Sequence, residues 1–245
     1  MYKDIVNSTQ HRKSPLPEGQ WLMAQKWDHL LFMHLPVPPE IMKRQLPKGL
    51  DLDTYDGVAW LTIIPFRISD MRFRNMPPIP FLHSFLELNV RTYVCRNGIP
   101  GVYFFNLEAD KLLAVLGARL ASLPYFHAKM KMRETNGTFH YSSIRKGNSN
   151  IMFLGSYHPI FEAYYPKERS LPYWLLERYY LWTSRNNSLF LGGIHHKQWK
   201  IHDAKADIVK QNMANFLPDI VLNEKRLFHY AVTCRALFWP IKKVD

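Results

Sequence analysis

Cysteine is nearly absent: the chain of 245 residues has two, Cys95 and Cys234. Both fall in stretches that read as strands. Two reduced, buried thiols are therefore expected, not a disulfide framework, and no metal-ligand spacing involves either one. Long apolar runs are missing as well. The longest, Leu30 to Val37, is interrupted by His34 and Pro36 and falls far short of the roughly 20 residues that cross a bilayer. The opening segment, MYKDIVNSTQHRKSPLPEGQ, has no apolar signal-peptide core, so a cytoplasmic protein without a membrane span is the expectation.

The chain also lacks a Gly-rich phosphate loop, a dinucleotide fingerprint and a Ser nucleophile elbow, which removes the usual signals for nucleotide cofactors and serine hydrolysis. No cofactor is expected. Like charges never run to five in a row, and no RNP-like aromatic motif is present. The excess of Lys plus Arg (32) over Asp plus Glu (20), a net charge of +12, thus reads as spread over solvated faces. Nucleic acid is not the expected partner, whereas attraction of small carboxylates or phosphates fits the charge.

What is abundant is apolar and aromatic. Hydrophobic residues make up 47% and aromatics 14%, enough for a packed core and far from the composition of a disordered chain.

Polar residues with Pro15, Pro17 and Gly19 make 1–20 an extended or poorly ordered lead-in, followed by one domain over 21–245. A first strand is expected in Trp21 to Leu35, and a short helix from Pro38-Pro39-Glu40, with proline tolerated in its first turn. Leu50 to Asp53 and Val58 to Arg67 flank an Asp56-Gly57 turn. Met71 to Pro80 reads as a loop because Pro77, Pro78 and Pro80 remove backbone donors; it is a rigid connector or a lid.

From Leu86 to Cys95 the side chains alternate, with Leu86, Leu88, Val90, Thr92 and Val94 on one face and Glu87, Asn89, Arg91, Tyr93 and Cys95 on the other. A turn through Asn97-Gly98 and Pro100-Gly101 leads to a strand, Val102 to Leu107. Asp110 is placed to cap a helix whose Leu112, Leu113, Val115, Leu116 and Leu120 recur at helical spacing. Pro124 stops it.

Asn136-Gly137 joins Phe126 to Arg133 with Thr138 to Arg145, the strongest hairpin signal in the chain. Strands follow at Ile151 to Tyr157, Tyr180 to Thr183, Leu189 to Ile194 and Leu227 to Trp239, with a helix at Leu171 to Arg178 and a short extended piece at Trp199 to His202. Ala204 to Phe216 is ambiguous, since Ala206, Val209, Met213 and Phe216 also fit a helix. Many strands without a βαβ rhythm imply a mainly β (α+β) domain: an antiparallel sheet closed or curled on itself, with a few short helices.

The run Glu87-Leu88-Asn89-Val90-Arg91-Thr92-Tyr93-Val94 is followed by Pro100-Gly101-Val102-Tyr103-Phe104-Phe105, Ala118-Arg119 and Leu123-Pro124-Tyr125. Together they resemble the signature of the YqjF-like family of uncharacterised bacterial proteins. Trp27-Asp28-His29-Leu30-Leu31-Phe32, Pro47-Lys48-Gly49-Leu50, Val58-Ala59-Trp60 and Pro65-Phe66-Arg67 extend the likeness. Glu177-Arg178-Tyr179, His195-His196 and Trp239-Pro240 carry it almost to the C-terminus.

That family is similar in turn to acetoacetate decarboxylase, which implies a β-barrel or cone around an interior pocket. The decarboxylase works through a lysine Schiff base, with a second lysine lowering its pKa and an arginine and glutamates nearby. By order and spacing its Pro-Lys-Lys motif falls on Pro124-Tyr125-Phe126. Tyr125 stands at the nucleophile position, so no imine forms there. The resemblance keeps a carboxylate at Glu87, while the decarboxylase arginine falls near Asp28 and a further glutamate near Leu61. Lys129 would share the face of Tyr125 on a regular strand, as a relocated amine or as a solvated side chain.

Alternation alone leaves Glu87, Asn89 and Arg91 either on an outer polar face or on a pocket wall; the resemblance favours the wall for Glu87. There Glu87 would exchange a proton, Asn89 would orient a ligand and Arg91 would hold an anion, while Tyr125 either donates to an oxyanion or packs in the core with its hydroxyl satisfied. Arg119 reads as half of an ion pair with Glu108 or Glu87. His195 and His196 face opposite ways on a strand, so they do not share one metal ion; one of the two is expected to reach the pocket, with His196 the candidate and the choice between them left open.

The expected function is an interior pocket for a small polar or anionic organic ligand, in a binding protein or an enzyme without Schiff-base chemistry. The alternative is an interaction protein whose basic surface meets an acidic partner or nucleic acid, its pocket vestigial.

Overall fold

The structure is a computed structural model that describes residues 2–218 and 225–244. Its strands are β1 (Met23–Val37), β2 (Asp51–Leu52), β3 (Ala59–Phe73), β4 (Phe85–Arg96), β5 (Ile99–Ala109), β6 (Tyr125–Thr135) and β7 (Thr138–Arg145). They continue with β8 (Met152–Tyr164), β9 (Tyr180–Arg185), β10 (Ser188–His195), β11 (Ile201–Gln211), β12 (Leu227–Phe238) and β13 (Lys242–Val244). The helices are α1 (Tyr2–Val6), α2 (Pro39–Lys43), α3 (Leu112–Leu120) and α4 (Leu171–Leu176). Among the described residues no helix is long and apolar enough to cross a membrane.

All the strands join one 13-stranded sheet in the order β13-β10-β9-β5-β6-β7-β8-β11-β12-β1-β3-β4-β2. Two further pairings, β4 with β5 and β10 with β12, make the sheet return on itself. One circuit runs β5-β6-β7-β8-β11-β12-β1-β3-β4 and back to β5. The other runs β5-β9-β10-β12-β1-β3-β4. Pairing is antiparallel except at β5, which lies parallel to both β6 and β9. That departs from the purely antiparallel expectation, because α3 carries the chain from β5 over to β6 in the manner of a crossover.

The shared strands are buried on both faces. Leu31, Met33 and Leu35 of β1, Leu61 and Ile63 of β3, and Leu86, Leu88 and Val90 of β4 pack into one core, inside the first circuit. Leu30 and Phe32, Ile64 and Phe66, and Phe85 and Tyr93 point the other way, into a second core. Strand alternation thus feeds two cores from one wall. A residue such as Leu88, fully buried, is stabilising by about 1.5–3 kcal/mol relative to exposure.

Several sequence expectations change. Ala204 to Phe216 is largely strand β11, paired with β8 from Ile201↔Tyr164 to Gln211↔Phe153, so ladder partners override its helical spacing. β3 runs to Phe73, paired with Met23, into the stretch read as loop. Asp110 does not cap α3; Lys111 holds the N-cap position, and the Asp110 carboxylate accepts from the Leu86 amide at 3.0 Å. Of the apolar residues on α3 only Val115 is buried, while Leu113 and Leu120 are 62% and 86% exposed.

The lead-in is neither extended nor loose. It carries α1 with Ile5 buried, and Tyr173 donates to the His11 carbonyl at 2.7 Å while the Trp239 indole donates to the Gly19 carbonyl at 3.0 Å.

Candidate functional site

Inside the second circuit lies a cavity of about 450 Å³. β4 supplies one wall: Glu87, Asn89 and Arg91 all line it, two residues apart, so their side chains share the face opposite Leu88 and Val90. The outer-polar-face alternative for these three is thereby removed, since both faces of β4 are interior. The remaining walls are mostly hydrocarbon, including Trp27, Phe32, Phe66, Phe104, Trp199 and Phe238. Exposed lining residues, Leu22, Phe73 and Leu113, mark the mouth between α3 and the turn after β3. No lysine lines it among the described residues.

Tyr125 starts β6, directly after Pro124, in a position where β5 and β6 run parallel and Leu107 is its partner. Its hydroxyl donates to Glu87 Oε2 at 2.6 Å, and both residues are buried. Burial pushes the Glu87 carboxyl up to about 7, against the lowering effect of hydrogen bonds from Tyr125 and Asn89. Burial and the neighbouring Glu87 charge drive the Tyr125 phenol well above its ordinary value, so it remains a donor. A carboxyl poised near neutrality in an apolar cavity is equipped to give or take a proton.

Asn89 is 7% exposed and its Oδ1 has no protein partner among the described residues. Arg91 is half-buried; it donates to the Leu175 carbonyl at 3.4 Å, its Nε is unpartnered, and burial lowers its pKa. A bare donor and a bare acceptor buried in the β4 wall each cost free energy where they stand.

The histidine pair is resolved by their hydrogen bonds. His195 donates from Nε2 to the Ile5 carbonyl at 2.7 Å and accepts from Arg12 at Nδ1, 3.0 Å, so it serves the N-terminal segment. His196 lines the cavity. Its Nδ1 donates to the Lys197 carbonyl at 2.7 Å, which leaves Nε2 as an acceptor, and burial lowers its pKa to about 3, keeping the ring neutral.

Other candidates stand elsewhere. Lys129 is exposed between buried Ala128 and Met130, off the face of Tyr125, because alternation shifts phase along β6. Arg119 forms no ion pair with Glu108 or Glu87; it donates to the Tyr125 carbonyl at 2.7 Å, while Glu108 is bound by Arg145 at 2.8 Å. Phe126, at the second lysine position of the decarboxylase resemblance, lies beneath the Arg145 guanidinium, 3.8 Å from its ring centre. Asp28 accepts from Ser69 and Thr233 and pairs with Lys26, away from β4. Both cysteines are free and only partly buried, less so than expected.

Two features escaped sequence reading. Trp27 and Trp199 stack beside each other in the cavity wall, ring centres 6.1 Å apart and planes at 13°. A half-buried carboxyl, Glu177, accepts from Tyr179 and from the Trp199 amide at 3.0 Å, and desolvation raises it to about 7. The Glu177-Arg178-Tyr179 run was visible, but its proximity to Trp199 depends on how α4 leads into β9. Among the described residues no three His, Cys, Asp or Glu side chains gather as a metal site would require.

Comparison with known proteins follows the same lines. The DUF2071 family, described as "Uncharacterized conserved protein", matches residues 24–234. The uncharacterized protein YqjF of Bacillus subtilis (strain 168) is 41% identical over 235 residues, covering 96% of this chain and 97% of its own. Among solved structures, the enduracididine biosynthesis enzyme MppR complexed with pyruvate superposes with a TM-score of 0.64 at 10% identity, over 98% of this chain and 95% of that one. Acetoacetate decarboxylase from Legionella pneumophila gives 0.63 at 13% identity, over 98% and 95%. An acetoacetate decarboxylase-like enzyme from Sphingomonas wittichii RW1 gives 0.63 at 10%, over 93% and 94%. At these identities the shared property is the fold.

Proposed function

Since the chain belongs to the DUF2071 family and has the fold of acetoacetate decarboxylase-like proteins, we propose that its cavity binds a small organic molecule through a carbonyl or carboxylate head, with proton exchange at Glu87. The observation that carries this reading is the buried Tyr125–Glu87 hydrogen bond facing a cavity without lysine. Imine chemistry needs an amine at the ligand carbonyl, and among the described residues no lysine lines this cavity.

In the proposed arrangement the Arg91 guanidinium, which lines the cavity from β4, holds the head, and Asn89 hydrogen-bonds the Glu87 carboxylate. Glu87, with its pKa near 7, takes the proton from the carbon beside the carbonyl and returns it, and Tyr125 steadies the carboxylate between the two states. His196, neutral, offers Nε2 as an acceptor for a ligand hydroxyl.

Calorimetric titration with a panel of 2-oxo acids tests the reading. Glu87→Gln and Tyr125→Phe should each weaken binding by about tenfold, the scale of a charge-assisted hydrogen bond, whereas Lys129→Ala should leave it unchanged. Solvent deuterium incorporation beside the carbonyl, seen by proton NMR, should vanish in Glu87→Gln. Equal binding by wild type and Glu87→Gln would overturn the proposal. The net charge of +12 favours a second reading, an acidic macromolecular partner on the surface. Binding to such a partner would survive Glu87→Gln and fall steeply with salt.

A further inference from the structure

The cavity is too large and too apolar for a head group alone. About 450 Å³ holds roughly fifteen non-hydrogen atoms, at roughly 30 Å³ each by the volume share of liquid water. An oxo acid of about four carbons fills less than half of that. Water is a poor filler for the rest, since it needs two to four polar partners, and hydrocarbon walls supply none.

Polar capacity is confined to a few lining residues. Gln25 is occupied, accepting from the Trp27 indole at 2.9 Å and contacting Met71 Sδ, and Arg178 is tied to Asp53 at 2.5 Å through Nη1. Glu87, Asn89 and Arg91 stand on β4, Arg178 Nη2 is without a partner, and His196 keeps Nε2 as an acceptor. Around them the lining is Leu30, Phe32, Ile64, Val102, Leu181 and Ile194, all buried. The mouth is apolar too: Leu22, Phe73 and Leu113 are 48%, 41% and 62% exposed while lining it. An apolar body can pass them without stripping water from a charge.

We infer that the ligand of this cavity is amphipathic, a carboxylic or oxo acid whose head meets β4 and whose apolar body of about eight to ten carbons fills the hydrocarbon-lined remainder of the cavity. The inference rests on the head-group reading above and adds the class of molecule behind the head.

Unbranched 2-oxo acids of about four to sixteen carbons, titrated calorimetrically into the full chain, separate the two claims. Affinity should rise about three- to fourfold per added methylene and level off near about twelve carbons, where the cavity is full. Val102→Phe, which adds bulk inside, and Ala118→Trp, which adds it on the half-buried side of α3 at the lining, should each move that plateau to shorter acids. Urea unfolding confirms that each variant folds, and the wild-type length series stands as a test without either. Binding that is strongest for the shortest acids, or flat with length, overturns the amphipathic inference and leaves the head-group reading intact. Failure of every length to bind overturns both.

Discussion

Glu87 keeps its proton up to about pH 7 because burial in the folded chain strips water from the carboxylate, and hydrogen bonds from Tyr125 and Asn89 ease the charged form only in part. A folded-state pKa above the ordinary 4.5 means that the native protein binds more protons than the unfolded chain between about 4.5 and 7. The stability contributed by protonated Glu87 is therefore complete below 4.5 and lost as pH rises toward and through 7. At roughly 1.4 kcal/mol per unit the total is about 3 kcal/mol. The buried histidines slope the other way: His196, lowered to about 3 by burial, contributes above 6.5 and loses its contribution as pH falls. Comparing Glu87→Gln with wild type isolates the carboxyl. In urea unfolding the variant should be more stable by about 1–3 kcal/mol at pH 8, with the difference vanishing by pH 4.5; an equal difference at both pH values would show that Glu87 does not titrate as stated. At this scale the sequence was legible where a motif carried the residue. Glu87 and Tyr125 were named from their place in the Glu87–Val94 and Leu123–Tyr125 runs, and they meet at 2.6 Å. Trp27, Trp199 and Glu177 were not, because their relation depends on strands far apart in the chain.

β5 is the element that the two circuits depend on, since it pairs with β4, β6 and β9. Gly101 lies where β5 meets β9. A Cβ there would stand 2.6 Å from the Tyr180 carbonyl oxygen and 3.0 Å from the Trp182 indole nitrogen, and the backbone oxygen cannot swing aside. Gly101→Ala should lower unfolding stability by about 1–3 kcal/mol, the scale of an overpacked interior, and loosen the pairing of Val102 with Leu181. Hydrogen exchange of the Leu181 and Trp182 amides reads the loosening; unchanged protection there would refute the account. The hairpins and alternating strands were legible because their partners are near in sequence: Asn136 and Gly137, at φ of 50° and 76°, turn β6 into β7 as the pair of residues demands. β11 was not legible, because its neighbour β8 decides its conformation. Nor was the outward face of α3, whose leucines keep helical spacing without a core to receive them.

At the scale of the molecule, the cavity is closed on one side by chain that comes before the family match at residue 24. Pro17 packs so tightly on Gly193 that a Cβ on that glycine would lie 2.1 Å from the Pro17 ring. Gly193 lines the cavity, so the N-terminal segment buttresses the β10 wall from behind. Arg12 is its principal fastening. Its Nη1 donates to the Ile194 carbonyl at 2.9 Å and to His195 Nδ1 at 3.0 Å, its Nη2 donates to the Pro15 carbonyl at 2.9 Å, and its guanidinium lies 4.2 Å from the Tyr179 ring centre. His11 adds a bond from Nε2 to the His196 carbonyl at 2.9 Å, which ties the segment to a cavity residue. A lead-in read as loose from its prolines is thus fixed by contacts that no local pattern announces. Arg12→Ala removes these bonds, taking the side-chain donor from the Ile194 and Ser14 carbonyls while Pro15 keeps Tyr180, a loss of about 1–3 kcal/mol. Limited proteolysis should then cut ahead of Trp21 faster than in wild type, and oxo acids should dissociate faster because the wall bearing His196 has lost its backing. If cleavage and dissociation both stay at wild-type rates, the segment lies on the wall without supporting it, and the cavity is held by the strand circuits alone.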